Sequence, residues 1–228
     1  MTPYIVGGSD ATGDYPWMAS LQLNGQHQCG GSLISSNWVV TAAHCIQSGL
    51  ELRIGSKDHL EGGTLVSAAD TITHPNYNQV SGSYDIALIK LSQSVSNQTI
   101  SIAQTSPVAG TNVTLYGWGQ TCPERGCSQA SPRLLQQLDT SIASAGQCQG
   151  IDAQSELCVN GTTSGTACYG DSGGPAVFQG TLAGATSRAG SNSSTCGDGP
   201  TVYTDVTAFR DWITDNTSGS SEAAWAEQ

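Results

Sequence analysis

An all-β protein of short antiparallel strands, closed by a single C-terminal helix, is the fold this sequence predicts. Three observations carry that reading. Short runs of apolar residues alternate with polar ones. Gly, Asn, Pro and Ser punctuate the runs at the intervals of antiparallel barrels or sandwiches. One stretch near the end changes to helical spacing. With 228 residues the chain suffices for one large unit or two fused barrels, and for a sizeable core.

In chain order, Ala19, Leu21 and Leu23 alternate with polar residues before Asn24-Gly25, a tight-turn pair. Strand-like runs follow at Val39-Val40, 50–54, 86–91, 113–116, 176–178 and Val202-Tyr203. The polar stretch 92–110, with Pro107 near its end, reads as the connection between two halves. Val206, Phe209, Trp212 and Ile213 fall on one helical face behind a capping Thr204 or Asp205. Residues beyond Asn216 read as a mobile tail, and no internal repeat occurs.

Charge and hydropathy argue against two classes of function. Lys and Arg total 7 and Asp and Glu total 18, a net charge of −11 that opposes polyphosphates and argues against nucleic-acid binding. No apolar run approaches the roughly 20 residues of a membrane-spanning helix, so no membrane role is expected. Eight cysteines among many Ser, Thr, Gly and Asn point to an oxidising compartment and secretion. There is no Cys-x-x-Cys and no histidine at zinc-ligand spacing, so four disulfides are expected, with roughly a hundred pairings open. Sequons at Asn97, Asn112, Asn160, Asn192 and Asn216 are compatible with secretion. The start, Met1-Thr2-Pro3-Tyr4, is too short and polar for a signal peptide, so any leader is expected to have been removed or replaced.

Three segments carry chemistry. Thr41-Ala42-Ala43-His44-Cys45 sets a histidine beside a cysteine, and Asp85-Ile86-Ala87-Leu88 opens an apolar strand with a carboxylate. Gly170-Asp171-Ser172-Gly173-Gly174-Pro175 sets a serine among glycines. A serine hydroxyl needs a base to become a nucleophile, a histidine can serve, and a buried carboxylate fixes the ring's tautomer. Glycines beside the serine let backbone N–H groups approach a substrate carbonyl oxygen. Taken singly, His44 reads as a structural histidine, Asp85 as a strand-start carboxylate and the glycine segment as a turn. The three in the order His, Asp, Ser, two of them flanked by cysteines, point to covalent acyl transfer.

Together these segments resemble the chymotrypsin/trypsin family of secreted serine endopeptidases. The resemblance runs through Ile5-Val6-Gly7-Gly8, Cys29-Gly30-Gly31-Ser32-Leu33-Ile34, Trp38-Val39-Val40, the three segments above, Gly117-Trp118-Gly119 and Val202-Tyr203. It leaves out only residues 1–4 and the tail after about 217. It implies two six-stranded antiparallel β-barrels, about 5–106 and 107–203, a C-terminal helix at about 204–216, and a flexible tail from 218. It also implies His44 as general base and acid, Asp85 as its orienting partner and Ser172 as nucleophile. Gly170 and Ser172 would supply the oxyanion hole, and Ser187 would bond Asp85 and start the strand that pairs with substrate backbone. The implied reaction is peptide-bond hydrolysis without a cofactor, by a monomer whose partners are protein or peptide substrates and protein protease inhibitors. A non-catalytic homologue used for binding is the competing class, but every member of the triad is present. Gly170-Asp171-Ser172-Gly173-Gly174 has the letters of an esterase elbow, Gly-x-Ser-x-Gly, but that elbow is a strand–helix turn and here a strand-like run, 176–178, follows.

The same resemblance pairs Cys29 with Cys45, Cys148 with Cys158 and Cys168 with Cys196, and leaves Cys122 and Cys127 to close a small local ring. The loop 55–63, with Ser56 where calcium-binding relatives carry a glutamate, implies no metal. Cleavage before Ile5 would free an ammonium to pair with Asp171, making residues 1–4 a pro-segment remnant. Before cleavage, His27 with Ser20 would hold Asp171; alternatively His27 is a partly exposed strand histidine. Thr166, six residues before Ser172, would form the pocket base and lacks the charge needed for Lys or Arg. Ala189 and Thr201 would line the pocket walls. The favoured substrate residue is therefore small to medium and apolar, with aromatic and acidic preferences as alternatives. Arg188 stands where the family carries a tryptophan and reads either as a solvated arginine or as a cation favouring acidic substrate groups.

Overall fold

A computed structural model describes residues 5–127 and 131–218. The expected pro-segment 1–4, and the expected tail beyond Ser218, lie outside the described residues.

Six strands close the first barrel in the order β2-β3-β4-β7-β6-β5. They are β2 (Met18–Leu23), β3 (Gln26–Ser35), β4 (Trp38–Thr41), β5 (Glu51–Ile54), β6 (Thr64–Thr73) and β7 (Ala87–Leu91). Asn24 and Gly25 both take positive φ, 51° and 77°, the twist that a two-residue hairpin between β2 and β3 requires. Leu21, Leu33, Val39, Leu52, Ile54 and Ile89 fill the barrel, each essentially without solvent exposure.

The second barrel is a seven-stranded sheet in the order β1-β9-β8-β11-β12-β13-β10. Its strands are β1 (Ser9–Asp10), β8 (Asn112–Gly117), β9 (Gln136–Ser141), β10 (Glu156–Val159), β11 (Pro175–Phe178), β12 (Thr181–Ala189) and β13 (Thr201–Asp205). A bridge between Ile142 and Val159 joins the β9 and β10 ends and closes it. The sequence places residues from about 5 in the first barrel; the structure gives the N-terminal segment to the second. Ser9 pairs with Gln137, and Ile5 lies in the core with Val113, Leu115 and Leu157. Apolar Ile5 and Val6 find their burial there.

Between the barrels, Met18, Trp38, Val40, Ile86 and Leu88 meet Trp118, Leu182 and Ala185. The terminal helix α1 (Arg210–Thr217) follows a 3-10 turn at Val206–Phe209, whose cap is Asp205: its side chain accepts the Thr207 N–H at 3.0 Å. Val206, Phe209 and Ile213 pack into the same inter-barrel core. Disulfides join Cys29 to Cys45, Cys122 to Cys127, Cys148 to Cys158 and Cys168 to Cys196.

Loop 55–63 is tied to the second barrel by protein contacts. Asp58 receives Arg133 Nε at 2.6 Å, and the Leu135 and Trp118 Nε1 donors reach Lys57 O at 2.7 and 3.1 Å. No cluster of metal-ligating side chains occurs among the described residues.

Candidate active site

His44 sits in a 3-10 turn (Ala43–Cys45) at the end of β4, and the Cys29–Cys45 bond ties that turn to β3. Asp85 precedes β7, directly after Tyr84, whose φ of 55° turns the chain sharply. Its carboxylate is buried and held from three directions. Oδ1 accepts the His44 backbone N–H at 2.9 Å, while Oδ2 meets His44 Nδ1 at 2.6 Å and the Ser187 hydroxyl at 2.8 Å. The Thr204 hydroxyl donates to the Asp85 backbone carbonyl at 2.8 Å. With Nδ1 facing the carboxylate, Nε2 of His44 is the nitrogen left to take up a proton.

Ser172 reaches the same cleft from the second barrel. Gly170, at φ 95°, and Gly173, at φ 77°, shape its loop, and a Cβ on Gly173 would stand 2.2 Å from Thr41 Oγ1. Asp171, Gly173 and Gly174 donate their N–H groups to Cys168, Thr186 and Asp171 carbonyls at 3.0, 2.8 and 3.0 Å. Among the described residues the N–H groups of Gly170 and Ser172 have no intramolecular acceptor. Two donors therefore remain free beside the serine, the arrangement that receives an oxyanion. Among the same residues the Ser172 hydroxyl makes no hydrogen bond either, a looseness common before substrate arrives.

His44 and Ser172 open onto a cavity of about 290 Å³, walled by Cys168, Cys196, Ala189, Thr201 and Gly199 among others. Ala189 and Thr201 face each other across β12 and β13. Among the described residues no carboxylate lines it. The outer edge of β12 at 187–189 is paired to β13 on one side, while its pairing with β11 stops at Ala185. An extended peptide could add there as a further strand.

A family model for trypsin matches residues 5–213. Trypsin delta of Drosophila melanogaster is 37% identical over 227 residues, covering 93% of this chain and 88% of its own. Trypsin of Sus scrofa is 38% identical over 222 residues, covering 92% and 94%. A solved structure of neuropsin, a serine protease expressed in the limbic system of mouse brain, aligns with a TM-score of 0.83 at 29% identity, over 92% of this chain and 98% of that one. The chain belongs to the trypsin family of serine proteases. Its substrates are proteins.

In this protease Asp171 is buried beneath the serine loop. Oδ1 accepts the Gly119 N–H at 2.8 Å and Oδ2 the Cys168 N–H at 2.9 Å. Gly119 has to be glycine, because a Cβ there would lie 2.2 Å from Asp171 Oδ2. Burial pushes the carboxyl up to about 7, and the two N–H donors only partly oppose it.

The expected His27–Ser20 pair forms, at 2.8 Å from Nδ1 to Oγ, but it does not hold Asp171. His27 Nε2 instead meets the Gly170 carbonyl at 2.9 Å. His27 does lie on β3 and keeps part of its surface exposed, while its ring packs against His59 and Trp118, and desolvation pulls its pKa down to about 4. A neutral ring accepts from Ser20 and donates to Gly170. His27 thus anchors the peptide unit that lies between the Gly170 and Ser172 N–H groups.

Two specificity residues differ from expectation. Thr166 is fully buried and does not line the cavity. Its hydroxyl donates to Ala167 O and its N–H to Val6 O, both at 2.9 Å, and Ala167 takes the lining position. Arg188 is neither solvated nor a free cation. Its guanidinium pairs with both oxygens of buried Glu156 and donates to Gly82 O at 3.0 Å.

Sequence reasoning missed Glu156, Thr204 and Gly82. Glu156 carried a signal, a lone carboxylate heading the apolar run Leu157-Cys158-Val159. Thr204 and Gly82 carried none, because one donates a common hydroxyl to the Asp85 backbone carbonyl and the other offers only its own carbonyl.

Proposed function

We propose that the chain is a secreted, monomeric serine endopeptidase in which His44, Asp85 and Ser172 form the catalytic triad. The observation that carries the reading is the Asp85–His44 pair, facing a serine loop with two unpaired N–H groups across one cavity. Ser172 Oγ attacks the substrate carbonyl carbon while His44 Nε2 takes its proton, and Asp85 holds the imidazolium. The carbonyl oxygen, now negative, accepts from the Gly170 and Ser172 N–H groups. His44 then passes its proton to the leaving amine nitrogen, the peptide C–N bond breaks, and an ester to Ser172 remains. Water, deprotonated by His44, attacks that ester; Ser172 leaves and regains the proton.

The acyl-side backbone lies along β12 at 187–189, and its last side chain enters the cavity. A cavity without a carboxylate and with Thr201 on its wall supports a small or medium apolar residue there. The acidic alternative loses support, since Glu156 already neutralises Arg188. Activation by cleavage before Ile5 is supported by Asp171, a buried carboxylate in need of a positive partner. The disulfides and the exposed sequons at Asn112 and Asn192 support secretion. Protein protease inhibitors would enter the same cleft.

The test is labelling with an aryl sulfonyl fluoride, before and after trimming the chain to Ile5. Modification of Ser172 in the trimmed protein, with loss of peptidase activity, is the expected result. A trimmed chain that neither cleaves nor labels would be a binding homologue.

A further inference from the structure

Arg188 reaches three segments from its place on β12. NH1 donates to Glu156 and to the Gly82 carbonyl at 3.0 Å; NH2 donates to Glu156 Oε1 at 3.0 Å and to Gly150 O at 3.3 Å. Glu156 is 1% exposed and also accepts the Asp152 N–H at 2.8 Å. Gly82 belongs to the first barrel, on the loop that leads to Asp85, while Gly150 and Glu156 belong to the second. The arginine therefore spans the cleft from barrel to barrel with its charge matched by one carboxylate. Such a planar fork suits a bidentate pair with a carboxylate and a third acceptor, which a lysine ammonium does not reproduce.

Gly82 is fitted to the arginine. It takes φ 75°, and a Cβ there would stand 2.8 Å from Arg188 Cδ. The rest of the loop folds back on itself: Gly82 N donates to Asn78 O at 2.8 Å, and Asn78 Oδ1 accepts the Val80 and Ser81 N–H groups at 2.8 and 3.2 Å. It leaves Val80 98% exposed at its tip. Asp85 does not depend on this contact, being held by His44, Ser187 and Thr204.

We propose that Arg188 is a specificity-determining positioning residue, a charge-neutral strut that locks loop 78–84 to the second barrel as a wall of the cleft. Selectivity for substrate residues beyond the one in the cavity then depends on the Arg188–Glu156–Gly82 contact. The proposal rests on the reading that acyl-side substrate lies along 187–189, because Arg188 is the middle residue of that edge.

The experiment compares the trimmed protease with Arg188→Met, Arg188→Lys and Glu156→Gln on two p-nitroanilides, one with a single acylated alanine and one with a four-residue apolar peptide. The ratio of kcat/KM on the long substrate to that on the short one is expected to fall about tenfold in Arg188→Met and Glu156→Gln, through KM. Arg188→Lys should recover only part of the ratio. Amide hydrogen exchange should accelerate across 78–84 in the same variants. An unchanged ratio, or an equal loss on both substrates, overturns the proposal. Should Arg188→Met fail to fold, Glu156→Gln carries the test, since it keeps the side-chain shape. If the parent protein cleaves neither substrate, the cleft reading fails. Exchange at the loop then decides the strut by itself, and unchanged exchange overturns it.

Discussion

Ser187 and His44 share one oxygen of Asp85: the hydroxyl reaches Oδ2 at 2.8 Å and the imidazole Nδ1 at 2.6 Å. The two donors come from different barrels, so the carboxylate is gripped across the cleft. Removing the hydroxyl with Ser187→Ala takes one donor from a buried carboxylate, a cost of about 2 kcal/mol, and kcat should fall about thirtyfold. Asp85→Asn should turn His44 to the wrong tautomer, with a loss of about ten-thousand-fold, the size this triad arrangement carries. Steady-state kcat for the two variants checks the order; equal losses would mean that Ser187 governs the tautomer too.

Asp171 gives the uncut chain a pH dependence of definite sign. Its carboxyl ordinarily titrates at 3.8 and is pushed up to about 7 when folded. Between those values the folded chain keeps a proton that the unfolded chain has released. The associated stability is complete below 3.8 and lost as pH rises through about 7. His27 works the other way, since burial lowers it from 6.5 to about 4 and stability falls as pH drops through that interval. Comparing Tm with that of Asp171→Asn isolates the carboxylate. The uncut parent should lose Tm relative to this variant on going from mildly acid to neutral pH. A chain cut before Ile5, with its new ammonium, should not. An uncut parent that gains Tm relative to Asp171→Asn over that range would show Asp171 already ionised.

Thr201 narrows the cavity opposite Ala189. Thr201→Gly should admit an aromatic side chain, raising kcat/KM for a phenylalanyl substrate relative to an alanyl one by about tenfold. Arginyl and lysyl substrates should stay poor in both proteins, because no carboxylate lines the cavity. Dominant cleavage after arginine by the parent would defeat the assignment of the cavity walls.

The Cys122–Cys127 and Cys168–Cys196 disulfides should separate by loop length. Cys122 and Cys127 are 5 residues apart, and Cys168 and Cys196 are 28 apart. Replacing each pair by alanine should cost about 2 and about 3.5 kcal/mol respectively, by the chain-entropy argument. Urea unfolding measures both. The Cys168–Cys196 change should also impair cleavage, because both residues wall the cavity.

Legibility followed how local each signal was. His44, Asp85 and Ser172 sit in unusual short segments, and the apolar runs of β4, β7, β8 and β11 are visible one by one. Strands β6 and β9 passed unread because their outward residues are polar and their partners supply the pairing: Thr64–Thr73 is mostly solvated, and Gln136–Ser141 pairs along all of β8. Thr166 shows a different failure. Its position was legible by resemblance, but a hydroxyl can satisfy itself on a neighbouring carbonyl, and only coordinates reveal which way it turned. Arg188 and Glu156 are 32 residues apart, with nothing local to join them.

The N-terminal strand has a consequence for how the molecule is made. Ile5 and Ser9 leave the ribosome ahead of both barrels, yet their sites are built from β9 and from the segment around Thr166. Thr12 waits for Gln137, a partner 125 residues downstream. Contacts of such long sequence separation close late, after the loop entropy between them has been met by other pairings. The six strands of the first barrel need nothing from this segment and can assemble during synthesis. The segment around Ile5 thus emerges before either barrel and settles after the first, and it stays open to processing until the second barrel exists to receive it.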